Sequence, residues 1–295
     1  MSYHIYVKNI VDISFSEFLA NTYLTKDIAI VGTDIDSAAL PAYSKFYIPQ
    51  KSSRGVTVTK DFDEYDIQLN TGASEADYYV ASRIALALSE LNNSDITPEF
   101  DDAMSPERFE EKYNQRWAKE SELLNLHMVI HMINENGATV QLSGCKRAFY
   151  LGQKMLHRFK SNYTTEDEIC KAIVEHIIQL QFIEDLHEDI HVPTLMEADF
   201  SEGTKTFIVI APNTKSLIIK ADFIILRAEE NIVKITFEDF ISAVKPKNKL
   251  RRVDEEQFVM QTLDDGEYDA IVLQFSKSTI TKEKPKKTKR KWKFW

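Results

Sequence analysis

Five consecutive residues, His187-Glu188-Asp189-Ile190-His191, have the types and spacing that could do chemistry. On a helix, two imidazoles four residues apart share a face and can hold one zinc ion, with the intervening glutamate as general base. Pro193 follows closely and biases Val192 away from helical geometry, which places the segment at the fraying end of a helix. The expectation is therefore a polar helix terminus, with a metal-dependent hydrolase using His187, Glu188 and His191 as the alternative. His127 and His131 repeat the spacing. Read as strand residues they stand ~13 Å apart, too far to share one metal. No metal and no cofactor is expected. Lys146-Arg147, beside Phe149 and Tyr150, could meet an anionic ligand or partner, but a surface turn whose aromatics anchor into the core accounts for the same residues.

Two of these patterns resemble known families. H-E-x-x-H is similar to the motif of zinc proteases, and departs from it at Asp189, where those families keep an uncharged residue in a buried helix. Asp34-Ile35-Asp36, after the apolar Ile28-Ala29-Ile30-Val31, resembles the nucleophile strand of haloacid-dehalogenase-type phosphatases. That resemblance implies Asp264 and Asp265 as magnesium carboxylates. Gly32-Thr33 interrupts it, and Ala38 stands where the motif takes Thr or Val. A polar turn is the expectation, since Asp stabilises turns by bonding its own backbone.

The end of the chain is the most distinctive stretch. Lys282 to Trp295 holds seven lysines and Arg290 against one Glu283, a net of +7, so with a total of −10 the first 281 residues carry −17. Lys286, Lys287, Lys289, Arg290, Lys291, Trp292, Lys293, Phe294 and Trp295 form a segment too short and too charged to fold alone. Lysines interleaved with aromatics suit an anionic membrane surface, a partner's acidic groove or this chain's own acidic body. Single-stranded nucleic acid is a further ligand of that chemistry, but an acidic body repels nucleic-acid backbones, so nucleic acid is not the expected partner. A protein partner is expected, with peripheral contact to anionic membrane through the tail.

Composition narrows the rest. The 43% of hydrophobic residues can build a core, and no apolar run approaches the ~20 residues of a membrane span. The opening Met1 to Val7 has no feature of an export signal, which points to the cytoplasm. Cys145 and Cys170 are too few for a disulfide framework or a four-cysteine zinc site. Eight scattered glycines assemble no phosphate-cradling loop and no nucleophile elbow.

The elements that must position these residues follow from periodicity and punctuation. Strands are expected over 3–7, 28–31, 56–58 and 65–69, with a short helix over 14–23. Ser74 with Asp77, and Thr165 with Glu168, read as capping boxes opening two long amphipathic helices. Ser105-Pro106-Glu107 opens a helix through Phe109, Tyr113 and Trp117. Asn134-Glu135-Asn136-Gly137 between two apolar runs predicts a hairpin over 126–142, with a helix extending to Ile133 as the alternative, followed by a helix at 154–159. The last third reads as β-rich, with strands over 206–211, 217–219, 223–226, 232–235 and 270–275 and short helices over 238–244 and 255–263. The resulting fold class is α+β with mixed sheets. Its parts are residues 1–98, residues 99–278, which either form a second subdomain or complete one domain with the first, and a disordered tail, 279–295. The polar stretch 92–104 marks the division. Such a protein reads as a non-catalytic interaction protein, adaptor or immunity-like in character.

Overall fold

In a computed structural model of the chain, residues 2–31, 39–182, 190–200, 203–228 and 231–276 are described. They form an α+β protein of two compact units, residues 1–187 and 188–295.

The first unit begins with β1 (Ser2–Lys8), whose Ile5 and Val7 alternate inward, and α1 (Phe15–Ala20), capped by Ser14. Strands β2 (Ala29–Val31), β3 (Tyr43–Tyr47), β4 (Val56–Lys60) and β5 (Glu64–Asn70) follow. Helix α2 (Glu75–Asn92) then crosses the sheet, burying Val80, Ile84, Leu88 and the small Ala81 and Ala85. Its start is the capping box of Ser74 and Asp77. With β6 (Ile96–Pro98) the sheet has the order β2-β3-β4-β5-β1-β6 and is antiparallel throughout.

That pairing corrects the division expected at residues 92–104. Ile5 pairs with Pro98 and Val7 with Ile96, and Ile96 and Met104 exchange two backbone hydrogen bonds. The polar composition covers an edge strand whose Ile96 is fully buried, so the stretch 92–104 lies within the first compact unit.

Helix α3 (Pro106–Lys112) opens at Ser105 as expected, but stops at Tyr113. The Asn114 side chain accepts from the Arg116 and Trp117 N–H groups and starts a new helix, α4 (Gln115–Asn136). α4 replaces the hairpin expected over 126–142. Leu126, Val129, Ile130 and Ile133 are buried at helical spacing. Gly137, at φ 64°, terminates the helix in a left-handed cap, its N–H donating to Ile133 O. Asn-Gly ends a helix here instead of turning a hairpin. The real hairpin is shorter and later, β7 (Val140–Ser143) with β8 (Ala148–Leu151). It leads into α5 (Gln153–Asn162) and α6 (Glu166–Gln181), the latter opening with the Thr165–Glu168 capping box.

The second unit holds β9 (Met196–Phe200), β10 (Gly203–Ile210), β11 (Ser216–Ile219), β12 (Phe223–Ala228), β13 (Asn231–Thr236) and α7 (Phe237–Val244). β14 (Leu250–Arg252), β15 (Gln257–Met260) and α8 (Asp265–Ser276) complete it. One sheet is mixed, in the order β13-β12-β10-β9 with β10 and β12 parallel, and the other runs β11-β15-β14. Two expectations are corrected. The helix expected over 255–263 is the central strand β15, because Asp254 Oδ1 accepts from the Glu256 and Gln257 N–H groups in a turn that delivers an extended chain. The strand expected over 270–275 is part of α8. Asp264 caps it by accepting from Glu267 N, and Tyr268, Ile271 and Val272 are buried at i, i+3 and i+4.

Candidate functional site

Of the residues singled out in the sequence, His187, Glu188, Asp34, Asp36 and the tail from Lys286 to Trp295 lie outside the described residues. His191 is described and is not helical. It bridges Ser216 in parallel fashion, donating from its N–H to Lys215 O and accepting from Leu217 N, so no helix face reaches it. His127 and His131 do share a helix, α4, but take different neighbours. His127 faces Glu166 at 3.4 Å and Asp167 at 3.3 Å, whereas His131 pairs with Glu135 on its own helix at 3.1 Å. Asp264 is a helix cap and Asp265 accepts from the Asn213 side chain at 2.7 Å. Among the described residues, no group of three or more His, Cys, Asp or Glu side chains is arranged to hold a metal ion.

Lys146 and Arg147 lead to a denser arrangement, a polar junction inside the first unit. It begins at the loop between β3 and β4. Ser52 holds the loop by donating from its N–H to Ile48 O and accepting from Ile48 N, at 2.9 and 2.8 Å. Gly55, at φ +70°, closes it, and a Cβ there would meet Phe46 O at 2.9 Å. Asp77, fully buried at the start of α2, then gathers the loop from below. One of its oxygens accepts from Gly55 N at 3.0 Å. The other accepts from the Ser53, Arg54 and Ser74 N–H groups at 2.9–3.2 Å and from the Ser53 and Ser74 hydroxyls. A single carboxylate thus satisfies four backbone donors that burial would otherwise strand.

The β7–β8 turn closes on the same loop. Cys145 N donates to Ser53 O, and Lys45 Nζ donates to Gly144 O at 2.7 Å. From α6, Gln181 Oε1 accepts from the Lys146 and Arg147 N–H groups at 2.8 and 2.7 Å, while Arg147 Nη1 donates to Gln181 O. A Cβ on Gly144 would collide with Arg147 O and the Gln181 amide, so only glycine fits the turn. Burial sets the electrostatics. It pushes the Cys145 thiol up to about 12, assisted by the Asp77 charge, and pulls Arg54 down to about 10 and Lys45 below the usual lysine range. Arg54 Nε and Nη1 and Gln181 Nε2 are buried without a hydrogen-bond partner among the described residues. Asp77 is legible in the sequence as a cap and Lys146-Arg147 as a turn, whereas nothing in Ser52-Ser53-Arg54-Gly55 marks it out. The composition of a surface turn hides a buried arginine.

A second feature lies at the surface of the same unit. Asn9, just past β1, bonds the turn between β4 and β5 through Asp61 O, Phe62 O and Asp63 O. The next residues, Ile10 and Val11, donate from their N–H groups to the Asn92 side chain. Three apolar side chains are thereby presented together at one end of the sheet, with Phe62 93% exposed and Ile10 59%. Asp12, Asp61, Asp63 and Glu64, all exposed, adjoin them in the sequence, with Lys60 paired to Asp12 at 3.1 Å and Lys8 opposite Glu64 in the strand register.

The architecture defines an α+β protein with a polar junction and an acidic, apolar-tipped sheet end in its first unit. Residues 2–177 match the model of a family described as a domain of unknown function (DUF4299). The match spans more than half of the chain, and the protein belongs to this family. No curated protein and no solved structure matches it.

Proposed function

We propose that this chain is a non-catalytic interaction protein of the cytoplasm, adaptor or immunity-like in character, whose acidic body binds a basic protein partner. The observation that carries the reading is Phe62, 93% exposed on a turn that Asn9 ties to the segment of Ile10 and Val11, with the exposed Asp61, Asp63 and Glu64 next to it in the sequence. Clustered apolar side chains gain nothing in water, and contiguous patches rimmed by polar groups mark interaction sites. The surrounding acids favour a cationic partner and repel acidic ones. Both thiols support a non-catalytic role, since burial pushes Cys145 and Cys170 up to about 12 and neither is an activated nucleophile. No helix among the described residues is long and apolar enough to cross a membrane. The tail from Lys286 to Trp295 is the second docking element in this reading, for a partner protein or an anionic membrane surface.

Retention from native lysate, membranes included, tests both elements at once. Immobilised wild type is expected to hold a partner that Phe62→Asp loses, while a chain ending at Thr281 loses the lipid-dependent fraction. Identical recovery by all three would remove the proposal. Stoichiometric zinc in protein purified without a tag, lost in His187→Ala, would put the hydrolase in its place.

A further inference from the structure

Buried charges are ordinarily paired, because an isolated one gives up its hydration without return. Arg54 departs from that rule. Its side chain sits in a residue only 6% exposed, and Nε and Nη1 are buried with no hydrogen-bond partner among the described residues. The carboxylate acting on it is Asp77, whose two oxygens already accept from the four backbone N–H groups of Ser53, Arg54, Gly55 and Ser74. Lys45 is a second, half-buried cation against the same loop, and Gly55 leaves room for its Cε, which a Cβ would approach to 3.1 Å. Its ammonium rests on a neutral carbonyl, Gly144 O. Arg54 also presses on Lys45 electrostatically. Gln181 Nε2 adds a further orphan. The orphan atoms of Arg54 and Gln181 are all donors, and the charge beside them is a positive surplus.

We propose that this junction binds one small oxyanion of the phosphate type, held by Arg54 with Lys45 as the second cation. An oxyanion supplies what the junction lacks, acceptors and negative charge, and a singly charged one offsets the surplus that Arg54 and Lys45 leave over Asp77. Arg54 is too enclosed to meet a large ligand, so the occupant is the free ion and not a phosphoryl group carried on a bulky molecule. The site lies in the part of the chain that matches the family, apart from Gln181. It is independent of the docking surface at Phe62.

The test is titration of the full chain with inorganic phosphate at constant ionic strength, read by calorimetry and by melting temperature. The wild type is expected to bind one phosphate saturably, with a rising melting temperature. Lys45→Met should weaken binding about 10- to 100-fold, the worth of a charge-assisted contact, and Arg54→Met should abolish it. Arg54→Met also takes the cation from beside the buried Asp77 carboxylate, so the readout is the rise in melting temperature that phosphate produces in each protein, which the wild type should show and the variant should lack. No saturable binding by the wild type would overturn the proposal whatever the variants do, and so would equal binding by Arg54→Met. Glycerol phosphate serves as the esterified arm. Weaker binding than inorganic phosphate supports the free ion, and tighter binding overturns that assignment in favour of an esterified group.

Discussion

Asp77 shows how much one side chain can carry when its geometry serves two elements. Its backbone position makes it the third residue of a helix cap, and its carboxylate also stitches a loop 22 to 24 residues earlier in the chain. Replacing it with alanine strands the Ser53, Arg54 and Gly55 N–H groups in a dry interior. Asp77→Ala is expected to cost about 4 kcal/mol, measured by chemical denaturation, in the range reserved for broken buried networks. Glu122, on α4, is a milder case. Burial first, then the Glu75 and Asp77 carboxylates, push its pKa up, while the Glu75 N–H and Lys171 pull the other way. A carboxyl whose folded pKa is raised holds its proton more tightly in the folded state. Its contribution therefore favours the fold in acid, and is lost as pH rises from the ordinary glutamate value through the raised one. Glu122→Gln keeps the acceptor for Glu75 N and removes the charge. The variant is expected to melt above the wild type at pH 7, with the gap closing below pH 4. A gap independent of pH would show that titration is not its cause.

At the scale of elements, local chemistry is legible where a Ser or Thr cap opens the helix. Ser74 with Asp77, Ser105 with Pro106, and Thr165 with Glu168 each open a helix at the expected residue. Errors arose where one local signal serves two structures. Asn136-Gly137 has the composition of a hairpin turn and of a helix end, and only the burial of Leu126, Val129, Ile130 and Ile133 on one face decides between them. Asp264 and Glu267 form an unrecognised cap, so α8 was read as a strand from its apolar residues alone. The polar junction was illegible for a different reason. Its contacts join residues 45–55, 74–77, 144–147 and 181, and no spacing within one element encodes them. Two glycines separate the effects of backbone and space. Gly137 is at φ 64° with nothing near a Cβ, so Gly137→Ala should cost about 1 kcal/mol from backbone conformation alone. Gly144 lies outside the left-handed region but has no room, so Gly144→Ala should cost about 3 kcal/mol through overpacking. Equal losses in thermal denaturation would contradict that division.

For the whole molecule, the family match ends at residue 177, within the first unit, and takes in both the polar junction except Gln181 and the acidic sheet end. If docking is the function, the surface that does it travels with that part. Charge does not single that part out, since residues 1–177 carry −9 and residues 178–281 carry −8, but an acidic body steers cationic partners over distances that salt shortens to about 10 Å at 0.1 M. Unit two offers its own exposed apolar side chain, Leu273 at 70%, which makes a fair internal control. The most direct measurement is site-specific photo-crosslinking in cells, with a photoreactive phenylalanine at position 62 and, separately, at position 273. The interaction reading predicts a discrete adduct with a basic protein from position 62, weakened by added salt in extracts and missing from position 273. No adduct at position 62, or the same adducts from both positions, would contradict it.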